Sequence, residues 1–138
     1  MPYTIVVQAE LSEIARVAAW SDAFAAEFNL PARTAFAIHL CLEEQVSNII
    51  RHGVPEAAEG AIRVELEVSG DGVVATIEDH GAAFNPLNAP APEKPQSIDD
   101  ARVGGLGIHL LRKFATAVDY ERRDEINRLT LRFALPPH

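Results

Sequence analysis

LCLEEQVSNIIRHG, residues 40–53, reads as the C-terminal part of a helix that begins near Ala32. Ile38, Leu42, Val46 and Ile49 recur at helical spacing, and neither Pro nor Gly interrupts the run before Gly53. On that helix Glu44, Asn48 and His52 stand at successive i,i+4 steps and form one stripe, which Ala37 and Cys41 share. Polar groups flanked by small side chains leave room for something to lie against the helix. The same stripe also suits a solvated face with an ordinary capping region, since Asn in mid-helix is costly but not rare.

Composition narrows the classes of function. A chain of 138 residues fits one domain with a core that needs no disulfides or metals. Twenty acidic residues against twelve Lys and Arg give a net charge of -8, and no basic patch offsets it, so direct nucleic-acid binding is not expected. The single Cys41 excludes an intrachain disulfide and reads as a reduced, buried thiol. No apolar run is long enough to span a bilayer, and the N-terminus lacks a signal-like core, so the expectation is a cytoplasmic protein with no membrane partner.

On the N-terminal side, Tyr3 to Val7 is a β-branched run that reads as an edge strand, with Pro2 at its start. Ala9 to Phe28 changes to helical period, with Ser12 or the residues just before it able to cap the start. Asn29, Leu30 and Pro31 break that helix, and Pro31 suits the first turn of the next.

On the C-terminal side, Ile62, Val64, Leu66 and Val68 alternate with Arg63, Glu65 and Glu67, which predicts a strand buried on one face. The Ser69 to Gly72 turn joins it to an antiparallel partner, Val73 to Glu78. A long irregular segment rich in proline follows, from Asp79 to Val103; loops of that length in small domains are usually functional or mobile. Gly104, Gly105, Leu106 and Gly107 then open a third helix through Phe114. Val118 to Tyr120 reads as a strand, Glu121 to Glu125 as a charged turn, and Ile126 to Leu135 as the last strand, with Leu129, Leu131 and Phe133 pointing inward. The expected fold is an α/β (α+β) two-layer sandwich, a mainly antiparallel mixed sheet with three helices on one face, in one domain spanning residues 1–138.

Three signals in a fixed order carry a resemblance: LEEQVSNIIRHG, then IEDHGAAFNP at a strand end, then GGLGIHLLRKFA, with NRLTLRF at the terminus. This order resembles the Bergerat ATP-binding fold shared by gyrase, Hsp90, histidine kinases and MutL. Its small single-domain branch, the bacterial anti-sigma-factor serine kinases, is the nearest likeness, and it covers almost the whole chain. The resemblance implies Mg-ATP binding, transfer of phosphate to a serine of a STAS-domain anti-sigma-factor antagonist, and binding of a sigma factor. It also implies a possible homodimer through the first strand and helix. A non-catalytic, nucleotide-responsive anti-sigma module is the competing class.

The resemblance also distributes roles. Glu44 is the general base for the incoming hydroxyl, and Asn48 offers its amide oxygen to Mg²⁺, a hard cation that prefers oxygen. Asp79 accepts a hydrogen bond from the adenine amino group, Gly81 permits the close approach of the base, and Thr130 completes the adenine contact. Gly104, Gly105, Leu106 and Gly107 present backbone N–H groups to the phosphates beneath an ATP lid at about 83–103. His52 either contacts ATP or braces the pocket. Read alone, Asp79-x-Gly81 is also an ordinary strand-to-turn ending, and the glycines also suit a flexible loop end.

Overall fold

The computed structural model describes residues 2–53, 62–81 and 111–136. Its sheet has five strands: β1 (Tyr3–Val7), β2 (Ile62–Ser69), β3 (Gly72–Asp79), β4 (Ala117–Arg123) and β5 (Ile126–Ala134), in the order β1-β2-β3-β5-β4. Every neighbouring pair is antiparallel, so the sheet expected to be mainly antiparallel is wholly so among the described residues. Helices α1 (Glu13–Glu27) and α2 (Ala32–Asn48) and a helical stretch at residues 111–114, α3, complete the fold.

Alternation along the strands divides the sheet into two unlike faces. Val7, Ile62, Val64, Leu66, Val73, Ala75, Ile77, Leu129, Leu131 and Phe133 are buried on one face, with Val17, Phe24, Ile38, Leu42, Val46 and Leu111 of the helices in the same core. The other face carries charge. Register aligns Val6, Arg63, Glu78, Arg128 and Glu121 in one row across all five strands. Within it Glu78 receives the Nε and Nη2 donors of Arg128 at 2.9 and 2.8 Å, and Arg63 lies 4.0 Å away on the opposite flank. Among the described residues the helices cover the apolar side alone.

Local chemistry sets the helix boundaries. α1 starts at Glu13, not Ala9: Ser12 occupies the cap position without a side-chain cap bond, and the Glu13 carboxylate instead accepts from Arg16 Nη1 at 2.9 Å. At its end Asn29 takes a left-handed φ of 51°, while Asn29 N–H donates to Ala26 O and Leu30 N–H donates to Ala25 O. That paired return is a Schellman closure, and it turns the chain directly into α2 at Pro31. Tyr3 of β1 packs edge-on to Phe24 and Phe28 of α1, while Phe36 of α2 meets Phe114 of α3 in the same manner.

Two further boundaries differ from the sequence reading. α2 does not run as an α-helix to Gly53; residues Ile49–Gly53 form a π-helical turn, a form that shifts the register of the final side chains. β4 extends through Arg123, so the expected five-residue charged turn contracts to Asp124 and Glu125, both at positive φ (53° and 66°). Asp and Glu are not the residues that announce such a turn, which is why the longer loop was expected.

Candidate functional site

The stripe on α2 is largely inside the molecule. Ala37, Cys41 and Asn48 are buried, and Glu44 is half-buried. Burial in this setting pushes the Cys41 thiol up to about 12, with the charge of Glu44 adding to the effect. Glu44 itself is raised above the usual carboxylate range, first by desolvation, with Arg51 opposing and Glu43 reinforcing the shift. Glu43 lies on the exposed side of the helix, where with Asp22 it brackets the ring of His39.

Asn48 carries the most telling feature of the stripe. It is 4% exposed, and its Oδ1 has no hydrogen-bond partner among the described residues. A buried amide oxygen left unpaired costs free energy in the isolated protein, so its presence asks for a group that supplies a positive partner. An oxygen donor of this type fits Mg²⁺. The Oε1 of Gln45 is unpartnered in the same way, a polar atom that the sequence reading passed over because Gln45 falls within the apolar stripe beside Leu42 and Ile49.

Asp79 ends β3 on the buried face, two residues beyond Ile77. Its Oδ1 accepts from the backbone N–H of Gly81 at 2.8 Å and from Asn127 Nδ2 at 3.1 Å. Desolvation raises the carboxyl above its ordinary range, against the lowering effects of Asn127, the Gly81 N–H, His80 and Arg122. Gly81 is fastened from the other side, its carbonyl accepting from Arg122 Nη1 at 3.0 Å. The Asp-x-Gly sequence thus forms a buried carboxylate held by a turn and by the neighbouring hairpin.

Thr130 is not part of that cluster. Along β5 the side chains of Asn127, Leu129, Leu131 and Phe133 point to the core, so Thr130 points to the charged face, between Thr76 and Asp119. The residue beside Asp79 is Asn127, opposite it in register. The expectation for Thr130 rests on likeness to a motif; the period of two along the strand sets it out of phase with Leu129 and Leu131. His52 falls in the π-helical turn, and its side chain is outside the description. Gly104, Gly105, Leu106, Gly107 and the 83–103 segment lie outside the described residues.

Comparison with known proteins gives concordant likenesses. A model of the histidine kinase-like ATPase domain matches residues 7–133. The serine/threonine-protein kinase BtrW of Bordetella bronchiseptica is 38% identical over 112 residues, covering 81% of this chain and 79% of BtrW. An anti-sigma F factor of Clostridium beijerinckii is 26% identical over 121 residues, 88% of this chain and 83% of that protein. Among solved structures, the RsbU and RsbW domains of Rv1364c from Mycobacterium tuberculosis superpose with a TM-score of 0.75 at 19% identity, over 99% of this chain and 33% of that longer one. The SiaB-SiaC complex of Pseudomonas aeruginosa contributes a chain with a TM-score of 0.61 at 16% identity, over 96% of this chain and 89% of that one.

Proposed function

The chain belongs to the histidine kinase-like ATPase domain family, and from that premise we propose that it is an Mg-ATP-dependent serine-protein kinase that regulates a sigma factor by phosphorylating a STAS-type antagonist. The observation that carries this reading is the buried, unpartnered oxygen of Asn48 one helical turn after the half-buried Glu44. A hydrolase or a kinase of this construction needs one carboxylate to take a proton and one oxygen to fix a metal beside it. Both stand on one rigid helix here. The kinship with a serine/threonine-protein kinase at 38% identity favours a protein hydroxyl over water as the acceptor.

In this mechanism Asp79 accepts a hydrogen bond from the amino group of adenine, and Asn48 Oδ1 would hold Mg²⁺, which when bound would supply neutralisation of phosphate charge. Glu44 accepts the proton of the serine hydroxyl as the serine Oγ bonds to the γ-phosphorus and the bond from that phosphorus to the ADP oxygen breaks. Burial matters at this step, because a carboxylate raised above its normal range is a stronger base. Positioning and charge supply most of the rest, since phosphoryl transfer asks little covalent work of the protein. The segment Gly104–Gly107 is assigned by motif to the triphosphate, His52 either contacts ATP or braces the pocket, and a sigma factor binds in alternation with the antagonist.

Incubation with γ-labelled ATP and the cognate serine-bearing antagonist tests the proposal. Acid-stable label on the antagonist is the expected result. Stoichiometric binding of the antagonist without transfer, under saturating Mg-ATP, would instead make the protein a binding module, as the anti-sigma name of the 26% relative allows.

A further inference from the structure

The hairpin of β4 and β5 brings Asn127 against Asp79 with Tyr120 and Arg122 bonded behind it, and their hydrogen bonds have only one consistent arrangement. Asn127 Oδ1 accepts from the Tyr120 hydroxyl and from Arg122 Nη1 at 3.0 Å, so it must be the oxygen. Asn127 Nδ2 is therefore the donor, facing Asp79 Oδ1 at 3.1 Å and the Gly81 carbonyl at 3.4 Å. Asn127 is 5% exposed, as is Asp79. Both donors to the carboxylate, Asn127 and the Gly81 N–H, go to Oδ1, and neither takes Oδ2. The hairpin thus fixes the rotation of the carboxylate and leaves Oδ2 as the atom to meet a ligand.

We propose that Asn127 is a specificity-determining positioning residue: by donating to Asp79 Oδ1 it keeps the carboxylate an acceptor only, and so selects a 6-amino purine over a 6-oxo purine. The inference rests on the reading of Asp79 as the purine contact. An ionised carboxylate attracts the exocyclic N–H of adenine and repels the carbonyl oxygen of hypoxanthine. A carboxylic acid can donate to that carbonyl, so losing the donor to Oδ1 would weaken the discrimination from both directions. The charged neighbours Arg122 on β4 and His80 after β3 act in the same sense as Asn127, while burial acts against all of them. Asn127 thereby does work that a side chain with one hydroxyl could do only in part: its amide is oriented by two donors behind it before it reaches the carboxylate.

The test compares Mg-ADP and Mg-IDP affinities by calorimetry in the full chain. Wild type is expected to favour ADP, and Asn127→Leu should lower the ADP-to-IDP preference by about tenfold, the effect of one hydrogen bond to a charged group. Tyr120→Phe, which removes one of the two donors that orient the amide, should lower the preference by roughly two- to threefold, the effect of a weaker, neutral hydrogen bond. Loss of affinity for both nucleotides with the ratio intact would show a structural role alone and overturn the proposal. Equal affinities in wild type would instead remove Asp79 as the purine contact, a separate failure. Should Asn127→Leu not fold, the Tyr120→Phe ratio decides, and an unchanged ratio overturns the inference.

Discussion

Replacing Asn48 by Leu should make the ligand-free protein more stable and the nucleotide-bound protein less so. Leu has the same branching at Cγ as Asn, so the shape of the side chain is nearly kept, while the unpaired Oδ1 disappears. An unsatisfied buried polar group costs about 1–3 kcal/mol, and Asn48 is 4% exposed, so the full penalty applies. For a domain of this size about 3 °C in Tm accompanies each kcal/mol, which gives an expected rise of roughly 3–9 °C without ligand. With Mg-ADP at about a hundred times its Kd, wild type gains about 2.7 kcal/mol through linkage, whereas Asn48→Leu gains little, having lost the oxygen ligand. The two melting curves should converge or exchange order when nucleotide is added, and differential scanning calorimetry with and without Mg-ADP reads this directly. A Leu variant that melts below wild type in the ligand-free state, or that gains as much from Mg-ADP, would refute the argument that Oδ1 is an orphan kept for a metal.

Glu44→Gln should lower phosphoryl transfer by about 10²–10⁴ while nucleotide affinity changes little; a rate within threefold of wild type in the labelled-phosphate assay removes Glu44 as the base. The pH profile of wild type should lose activity as pH falls through the raised value of Glu44, above the ordinary carboxylate range. Stability runs the other way: a folded value above the unfolded one means that stability declines as pH rises from the ordinary value through the raised one, and urea titrations should show Glu44→Gln without that decline. Gly72→Ala places a Cβ 2.8 Å from the carbonyl oxygen of Phe133, which belongs to backbone and has little freedom to yield, so a loss of about 1–3 kcal/mol is expected by denaturant titration. Cys41, buried and pushed up to about 12, should resist thiol reagents at pH 8 in the native protein and react at once in urea; rapid native labelling would show that the stripe opens.

Much of the fold is legible because period and burial coincide. β2 and β3 alternate without a break, and the Ser69 to Gly72 turn supplies the left-handed Gly70 that its hairpin requires, at φ 59°. The α2 stripe is legible for a related reason: Glu44 and Asn48 stand out because a charged and an amide side chain interrupt an otherwise apolar helix. Asn127 was hidden. It stands in β5 opposite Asp79, a pairing that no local pattern announces, and likeness to a motif drew the assignment to Thr130 instead. Gln45 was hidden differently, since a single amide inside an apolar stripe has no period of its own. The partnership of Asn127 with Asp79 is not local in sequence either, spanning 48 positions.

The row of charge on the outer sheet face bears on how this sequence can drift. Glu78 is 15% exposed at its side chain and lies between two arginines that are about half exposed, Arg63 and Arg128. Reversing the sign of Arg128 alone would set a carboxylate against both Glu78 and Glu121, and reversing Glu78 alone would set three cations abreast. Each exposed pair is worth little by itself, yet neither Glu78 nor Arg128 in the middle of the row can change sign without two neighbours objecting. Descendants of this chain should therefore keep the row or invert it through neutral intermediates such as Gln. Alternation of sign across β2, β3, β5 and β4 should then outlast the identity of any single residue in it.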